Sequence, residues 1–406
     1  MSEYVPMLVG LVALLAGLTV GKAWERYKLR DGRWFDRRKA RQTPHYMLGL
    51  NFLGANQPDM AIEELTKAAA ADSDALEIDM ILGNLYREKG QVGRAVHVHQ
   101  GLLQRPKLTR IEHAYALLCL GLDFKRGGFV DRALEAFNEV LRLDPNNEYA
   151  LANLEKLYEG QHQWQEAYQV RRRLAGPKGP EPETPHAQIL AFLENELGVE
   201  AVKRDDLKGA AARFRAAIDH DPRTVPAYLH LGDVHLRQGQ VAEAAEAWER
   251  LFEVAPDRAY LAFDRLEPAY ASLGAPQRFA EQCRRLIAGN AQDWRARRAL
   301  ALHLGAKGQA AEALELLLEA LVHNPHSLGL HQTIWQTLQR MGLDPALVAR
   351  YVELTGQSVF YADPHVCVRC RYRSTELLWQ CPHCHEWNTF LEERIEPAKD
   401  PEQAEG

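Results

Sequence analysis

The sequence predicts an all-α architecture: a solenoid of helical hairpins, preceded by one transmembrane helix and closed by a small metal-binding ribbon. Three observations carry this. Small residues recur with a period of 34 through the middle of the 406-residue chain, an uncharged segment followed by clustered Arg and Lys opens it, and two C-x-x-C pairs stand near its end. Hydrophobic content of 46% and charged content of 26% are those of folded protein, and a net charge of −6 gives no global reason to expect a nucleic-acid partner. Cysteines grouped in C-x-x-C pairs read as a metal site in a reducing compartment, not as a disulfide framework.

Tyr4 to Gly21 carries no charge between Glu3 and Lys22. As a helix, eighteen residues span about 27 Å, near the thickness of a bilayer core. Pro6 falls in its first turn, where a missing N–H matters least. Lys22, Arg26, Lys28, Arg30, Arg33, Arg37, Arg38, Lys39 and Arg41 follow, against only Glu25, Asp31 and Asp36. Positive flanks stay in the cytoplasm, which places the N-terminus outside and the bulk of the chain inside. A cleaved signal peptide would need a basic start, and here there is Glu3 with no Lys or Arg. The basic run reads as a topology signal and a contact for anionic headgroups, with no nucleic acid required.

The repeats follow a frame with a small residue at position 8, an aromatic at 11, Ala at 20, a large apolar residue at 24 and Pro near the end. Gly49, Phe52, Ala61, Leu65 and Ala68 fit it, as do Gly83, Tyr86 and Ala95, then Gly121, Phe124, Ala133, Phe137 and Pro145. Tyr158 with Ala167 fits weakly; Gly198, Ala210, Phe214, Ala217 and Pro222, and Gly232, Ala244, Trp248 and Pro256, fit well. Tyr270 marks a degenerate unit with Phe279 in place of Ala, and Ala301, Ala313, Ala320 and Pro325 form the last. The position-20 residues at 61, 95, 133, 167, 210, 244, 279 and 313 are separated by 34, 38, 34, 43, 34, 35 and 34. A period that returns to 34 after each insertion identifies tetratricopeptide hairpins, in which small residues let two helices approach and the large ones fill the seam.

The longest gap holds four prolines between Gly176 and Pro185, read as a loop or hinge dividing the array four plus four. The region from His331 to Thr355 reads as a closing hairpin. Cys119 and Cys283 sit in helical pattern as small buried residues. No nucleophile–base constellation, phosphate-binding glycine loop or H-E-x-x-H motif occurs, so no catalytic residue is assigned and the chain is not expected to be an enzyme.

Cys367-Val-Arg-Cys370 and Cys381-Pro-His-Cys384 form C-x₂-C-x₁₀-C-x₂-C. Each C-x-x-C turn points two sulfurs to one side, so the pairs make an S₄ site for one metal ion, zinc in preference to iron because nothing suggests an electron-transfer partner. Four thiolates close the coordination and leave no position for water. His365, His383 and His385 are then bystanders or hydrogen-bond donors to the ligands, and Trp379 and Tyr372 are candidates to cover the metal.

Asn51-Phe52-Leu53, Leu82 to Arg87 with Ala95 to Gln100, and Cys367 to Trp387, especially Trp379-Gln380-Cys381-Pro382-His383-Cys384, resemble the lipopolysaccharide assembly protein B family. The resemblance spans nearly the whole chain. It implies a rubredoxin-like zinc ribbon packed against the solenoid, with Cys367, Cys370, Cys381 and Cys384 as ligands. It also implies an inner-membrane adaptor of Gram-negative bacteria, single-pass with the N-terminus periplasmic. Such an adaptor promotes proteolysis of the deacetylase LpxC by the protease FtsH, thereby limiting lipopolysaccharide synthesis, and answers to an inner-membrane regulator. A homodimer is compatible with it. A general membrane-anchored assembly scaffold and an iron rubredoxin-like electron carrier are the rival readings. Arg371 and His385 stand where rubredoxin knuckles usually have glycine, which argues against iron redox use. The predicted organisation is a transmembrane anchor (1–22), a basic linker (23–44), repeats 1–4 (45–175), a Pro-rich loop (176–186), repeats 5–8 with closing helices (187–355), the ribbon (362–391) and an acidic disordered tail (392–406).

Overall fold

The computed structural model describes residues 44–71, 75–176, 184–324, 327–342, 345–346, 348–349 and 364–393. The expected anchor, nearly all of the basic linker and most of the Pro-rich segment lie outside these residues. Among the described residues, no helix is long and apolar enough to cross a membrane. The chain forms two compact units that divide between Leu157 and Tyr158.

The first unit holds the helices α1 (Pro44–Gly54), α2 (Pro58–Ala71), α3 (Leu76–Glu88), α4 (Val92–Leu103), α5 (Arg110–Arg126) and α6 (Val130–Leu143), and the division falls within α7 (Glu148–Gly160). The second continues with α8 (Trp164–Ala175), α9 (Pro185–Lys203), α10 (Leu207–His220), α11 (Val225–Arg237), α12 (Val241–Glu249) and the short α13 (Leu251–Val254). A 3₁₀ turn over Pro256–Ala262 leads into α14 (Phe263–Ser272), α15 (Gln277–Gly289), α16 (Trp294–Ala306), α17 (Ala310–His323) and α18 (Leu328–Arg340). A small sheet of β1 (His365–Cys367), β2 (Arg373–Ser374) and β3 (Phe390–Glu392) closes the described chain.

Local sequence sets the helix starts. Thr109 accepts from the Glu112 backbone N–H while the Glu112 carboxylate accepts from the Thr109 N–H, a reciprocal cap that satisfies two otherwise orphaned donors. Thr184 caps α9, with Pro185 in its first turn. α8 and α9, on either side of the Pro-rich insertion, pack on each other, so the array continues across it.

Each hairpin turns through one left-handed residue: Asn56, Gly90, Gly128, His162, Asp205, Gly239, Gly274 and Gly308 all have positive φ. These residues keep the 34, 38, 34, 43, 34, 35 and 34 spacing of the position-20 residues, which confirms the register even in the degenerate seventh unit. Gly342, again at positive φ and 34 residues beyond Gly308, follows α18, and most of the expected closing hairpin beyond it lies outside the described residues. Left-handed backbone is almost free for glycine and costly for other residues, which explains five glycines among the eight turns.

The seam is steric. Ala61, Ala95, Ala133, Ala167, Ala210, Ala244 and Ala313 are fully buried. A Cβ added to Gly232 would lie 2.2 Å from the Trp248 ring, and one on Gly121 would lie 2.7 Å from Phe137. The missing Cβ is what lets the large residue sixteen positions later fill the gap, where full burial contributes about 1.5–3 kcal/mol per side chain. In the seventh unit Phe279 fills the Ala position, and Cys283 takes the place of a larger residue four positions on, both buried. Burial raises the Cys283 thiol to about 12, so it is an inert core residue.

The second repeat departs from an apolar seam. Its filler is His99, fully buried against Gly83, with Nδ1 2.5 Å from Asp123 Oδ2. The Arg87 guanidinium donates to the other Asp123 oxygen at 2.9 Å and to Asn84 Oδ1 at 2.7 Å. Burial opposes charge on His99, but the hydrogen bonds to Asp123 and Cys119 outweigh it and raise the imidazole from 6.5 to about 9. The raised value means that stability from this pair is complete below pH 6.5 and is lost as pH rises through about 9. The melting temperature should therefore fall across that interval, and His99→Phe should flatten this slope while Arg87 still neutralises Asp123. An unchanged slope in the variant would refute the assignment.

Candidate metal centre and its seat on the repeats

The ribbon is a three-stranded antiparallel sheet in the order β2-β1-β3, with His365 opposite Ser374 on one side and Glu392 on the other. Glu392 therefore belongs to the ribbon, one residue inside what composition assigned to the acidic tail. Pairing with His365 and an ion pair to Arg295 hold it there.

Two turns of matching design carry the cysteines. In the first, the Arg371 N–H donates to Cys367 O (2.8 Å) and the Cys367 N–H to Tyr372 O (2.9 Å). In the second, the His385 N–H donates to Cys381 O (2.9 Å) and the Cys381 N–H to Glu386 O (2.9 Å). Arg371 and His385 adopt positive φ, 64° and 55°. The turns thus keep the left-handed backbone for which glycine is favoured, at a modest steric cost. Replacement of glycine at these positions does not change the knuckle shape.

The four sulfurs lie within 4.8 Å of one another. Sγ of Cys367 and Cys384 are 3.7 Å apart, and those of Cys370 and Cys381 3.6 Å. A tetrahedron of thiolates at about 2.3 Å from a metal has sulfur–sulfur edges of about 3.8 Å, whereas a disulfide would need about 2.05 Å. The donor set and spacing therefore fit one metal ion, and Cys367, Cys370, Cys381 and Cys384 are brought together as the spacing predicts. Burial raises the Cys367 thiol, but donation from Thr389 and from the Cys370 and Arg369 N–H groups outweighs it and brings it to about 6. Burial and the adjacent thiols push Cys384 to about 12. Four such groups cannot all ionise without a cation between them.

No histidine joins the cluster: among the described residues the metal-capable group consists of the four cysteines, and His383 stacks on Tyr372 at 6.4 Å. The cover over the sulfurs differs from the sequence expectation. Phe390, Leu377 and Leu378 pack on the cysteines, while Trp379 faces the repeats against Phe192 and under the Arg258 guanidinium. The large indole finds more apolar area on the repeats than a site of four small thiols offers.

Within the second unit the ribbon is seated on the repeats by contacts that no local motif announces. Trp387 stacks on Phe192, centroids 5.2 Å apart and 15° between planes, with Trp164 at 6.0 Å. Its indole N–H donates to Glu159 Oε1 at 3.1 Å, and Gln380 Nε2 donates to Glu159 Oε2 at 3.1 Å. Glu159 is 1% exposed, so its carboxylate depends on these donors. Arg258 donates to Asn388 Oδ1 at 2.8 Å, and Arg295 pairs with Glu392.

With this geometry in hand, comparisons with known proteins are specific. The rubredoxin metal binding domain model matches residues 365–392, and the tetratricopeptide repeat model matches 46–104 and 195–260. The lipopolysaccharide assembly protein B of Escherichia coli strain K12 is 26% identical over 352 residues, 86% of this chain and 89% of that protein. The protein of the same name from Haemophilus influenzae is 26% identical over 409 residues, 97% of this chain and all of its own length. The chain is related to the lipopolysaccharide assembly protein B family.

Metal analysis of the purified protein should give one ion per chain, falling to none in Cys381→Ser/Cys384→Ser, with loss of the ribbon fold. Trp387→Ala should weaken seating by about 3–5 kcal/mol, measured as faster amide exchange over residues 379–388 with the metal retained. Trp387→Phe keeps the stack and should cost about 1–3 kcal/mol for the donor that Glu159 loses.

Proposed function

We propose that this protein is a non-enzymatic adaptor in lipopolysaccharide assembly, held at the inner membrane by residues 1–22 with its repeats and ribbon in the cytoplasm. In this reading it presents LpxC to the membrane protease FtsH and so limits lipid A synthesis, under control of an inner-membrane regulator. The observation that carries it is the alignment over 97% of this chain and the full length of the Haemophilus influenzae relative, a protein named for lipopolysaccharide assembly. Repeat arrays of this kind act by holding protein segments, and a four-thiolate site has no open coordination position for a substrate. Tethering client and protease to one scaffold raises their effective concentration, which is the physical basis of an adaptor. The ion is zinc in this reading, and a colourless purified protein would support it, whereas iron thiolate absorption in the visible would favour the electron-carrier alternative.

Depletion of the protein in its native bacterium should lengthen the LpxC half-life and raise its abundance, and deletion of residues 1–21 at equal expression should do the same. Unchanged LpxC turnover would overturn the adaptor reading and leave a membrane-anchored scaffold with other clients.

A further inference from the structure

Leucine stands thirteen residues before the position-20 residue in all eight repeats, as Leu48, Leu82, Leu120, Leu154, Leu197, Leu231, Leu266 and Leu300. In the last seven it is 0–8% exposed. Leu82 shares a cluster with Leu65 and Ala68 on α2, Leu197 with Ala167 on α8, and Leu231 with Phe214 on α10. Each of these partners lies on the second helix of the preceding hairpin. The first repeat has no preceding hairpin among the described residues, and Leu48 is 43% exposed.

Met60 marks the same edge. Its position, one before the position-20 residue, is charged in six of the other repeats and is Gly209 in the remaining one. Only the first repeat places a large apolar side chain there, 43% exposed. Leu48 lies one turn beyond His45 and Met60 one turn before Glu64, and His45 Nδ1 meets Glu64 Oε2 at 2.6 Å. Both apolar side chains therefore flank one hydrogen bond at the open edge of α1 and α2. The acids of this hairpin, Asp59, Glu63 and Glu64, are met by Lys89, Lys67 and His45, so the edge presents no net positive charge.

We propose that residues 33–43 of this chain pack on that edge, with Trp34 and Phe35 covering Leu48 and Met60 in the place of a preceding second helix. These residues run directly into α1 at Pro44, so the occupant is tethered at its site and binds as an intramolecular partner. The junction is Thr43-Pro44, the same pair as Thr184-Pro185, which opens α9 after an insertion. A residue before proline is disfavoured in helical backbone, which suits a turn at this junction and a return of the segment onto α1. Arg33, Arg37, Arg38, Lys39 and Arg41 outnumber Asp36 in the segment and meet no net repulsion at an edge that is not basic. The inference goes beyond the adaptor reading and does not rest on it. Docking leaves ten residues, 23–32, between the expected anchor and the array, a tether of about 35 Å at full extension.

The test is amide hydrogen exchange of the full-length protein in a nonionic detergent, read over residues 33–43 and over α1. Trp34→Ala/Phe35→Ala should speed exchange of α1 about tenfold, with α5 and α6 unchanged. Leu48→Ala should in turn speed exchange of residues 33–43. The double variant removes nothing from the repeats themselves, so the array stays folded and the comparison holds. Unchanged exchange of α1 in the double variant would overturn the proposal. Protection of α1 that appears only when phosphatidylglycerol vesicles are added would overturn it in favour of the membrane surface. Protection that is lost on dilution to the monomer would overturn it in favour of a second copy. The measurement reads no LpxC turnover, so it can fail while the adaptor reading stands, and the reverse.

Discussion

Close approach of two helices at a residue without a large side chain is the constraint on which this molecule is built. At Gly232 a single added carbon would collide with Trp248, and at Gly121 with Phe137. Because the same contact returns in hairpin after hairpin, each pair presents the same faces to its neighbours. Within each compact unit, stacking then buries apolar surface that a single hairpin could not bury alone. The left-handed residue at each turn serves the same end, returning the second helix to the first at a fixed position.

Departures from the apolar seam concentrate charge inside the array. His99, Asp123 and Arg87 form a buried network between the second and third repeats, and in the second unit His303 Nδ1 meets Glu267 at 2.7 Å. Such groups cost desolvation and are tolerated because each has a charged partner in place.

The ribbon is too small to stand on apolar burial. Phe390, Leu377 and Leu378 are its main apolar contacts around the cysteines. Its second source of stability is the repeats themselves, through Trp387 on Phe192 and the two donors to Glu159. Metal and seat are linked, since Trp387 lies three residues beyond Cys384 and Gln380 immediately before Cys381. The turn that gathers the sulfurs therefore also aims the residues that grip the solenoid.

The sequence alone determined whatever depends on local spacing. A 34-residue recurrence of Ala and Gly needs no tertiary knowledge to identify hairpins, and two C-x-x-C pairs ten residues apart define four ligands because each turn is a local structure. It could not place Trp379, assigned as a cover for the metal and found against Phe192, nor give Glu392 to the sheet. Only the tertiary structure decided that Glu159 would receive Trp387 and Gln380, more than two hundred residues later in the chain. The physical reason is one of range. Helix period and metal-turn geometry are fixed within a few residues, whereas a hydrogen bond between a repeat and a ribbon exists only after both have folded and met.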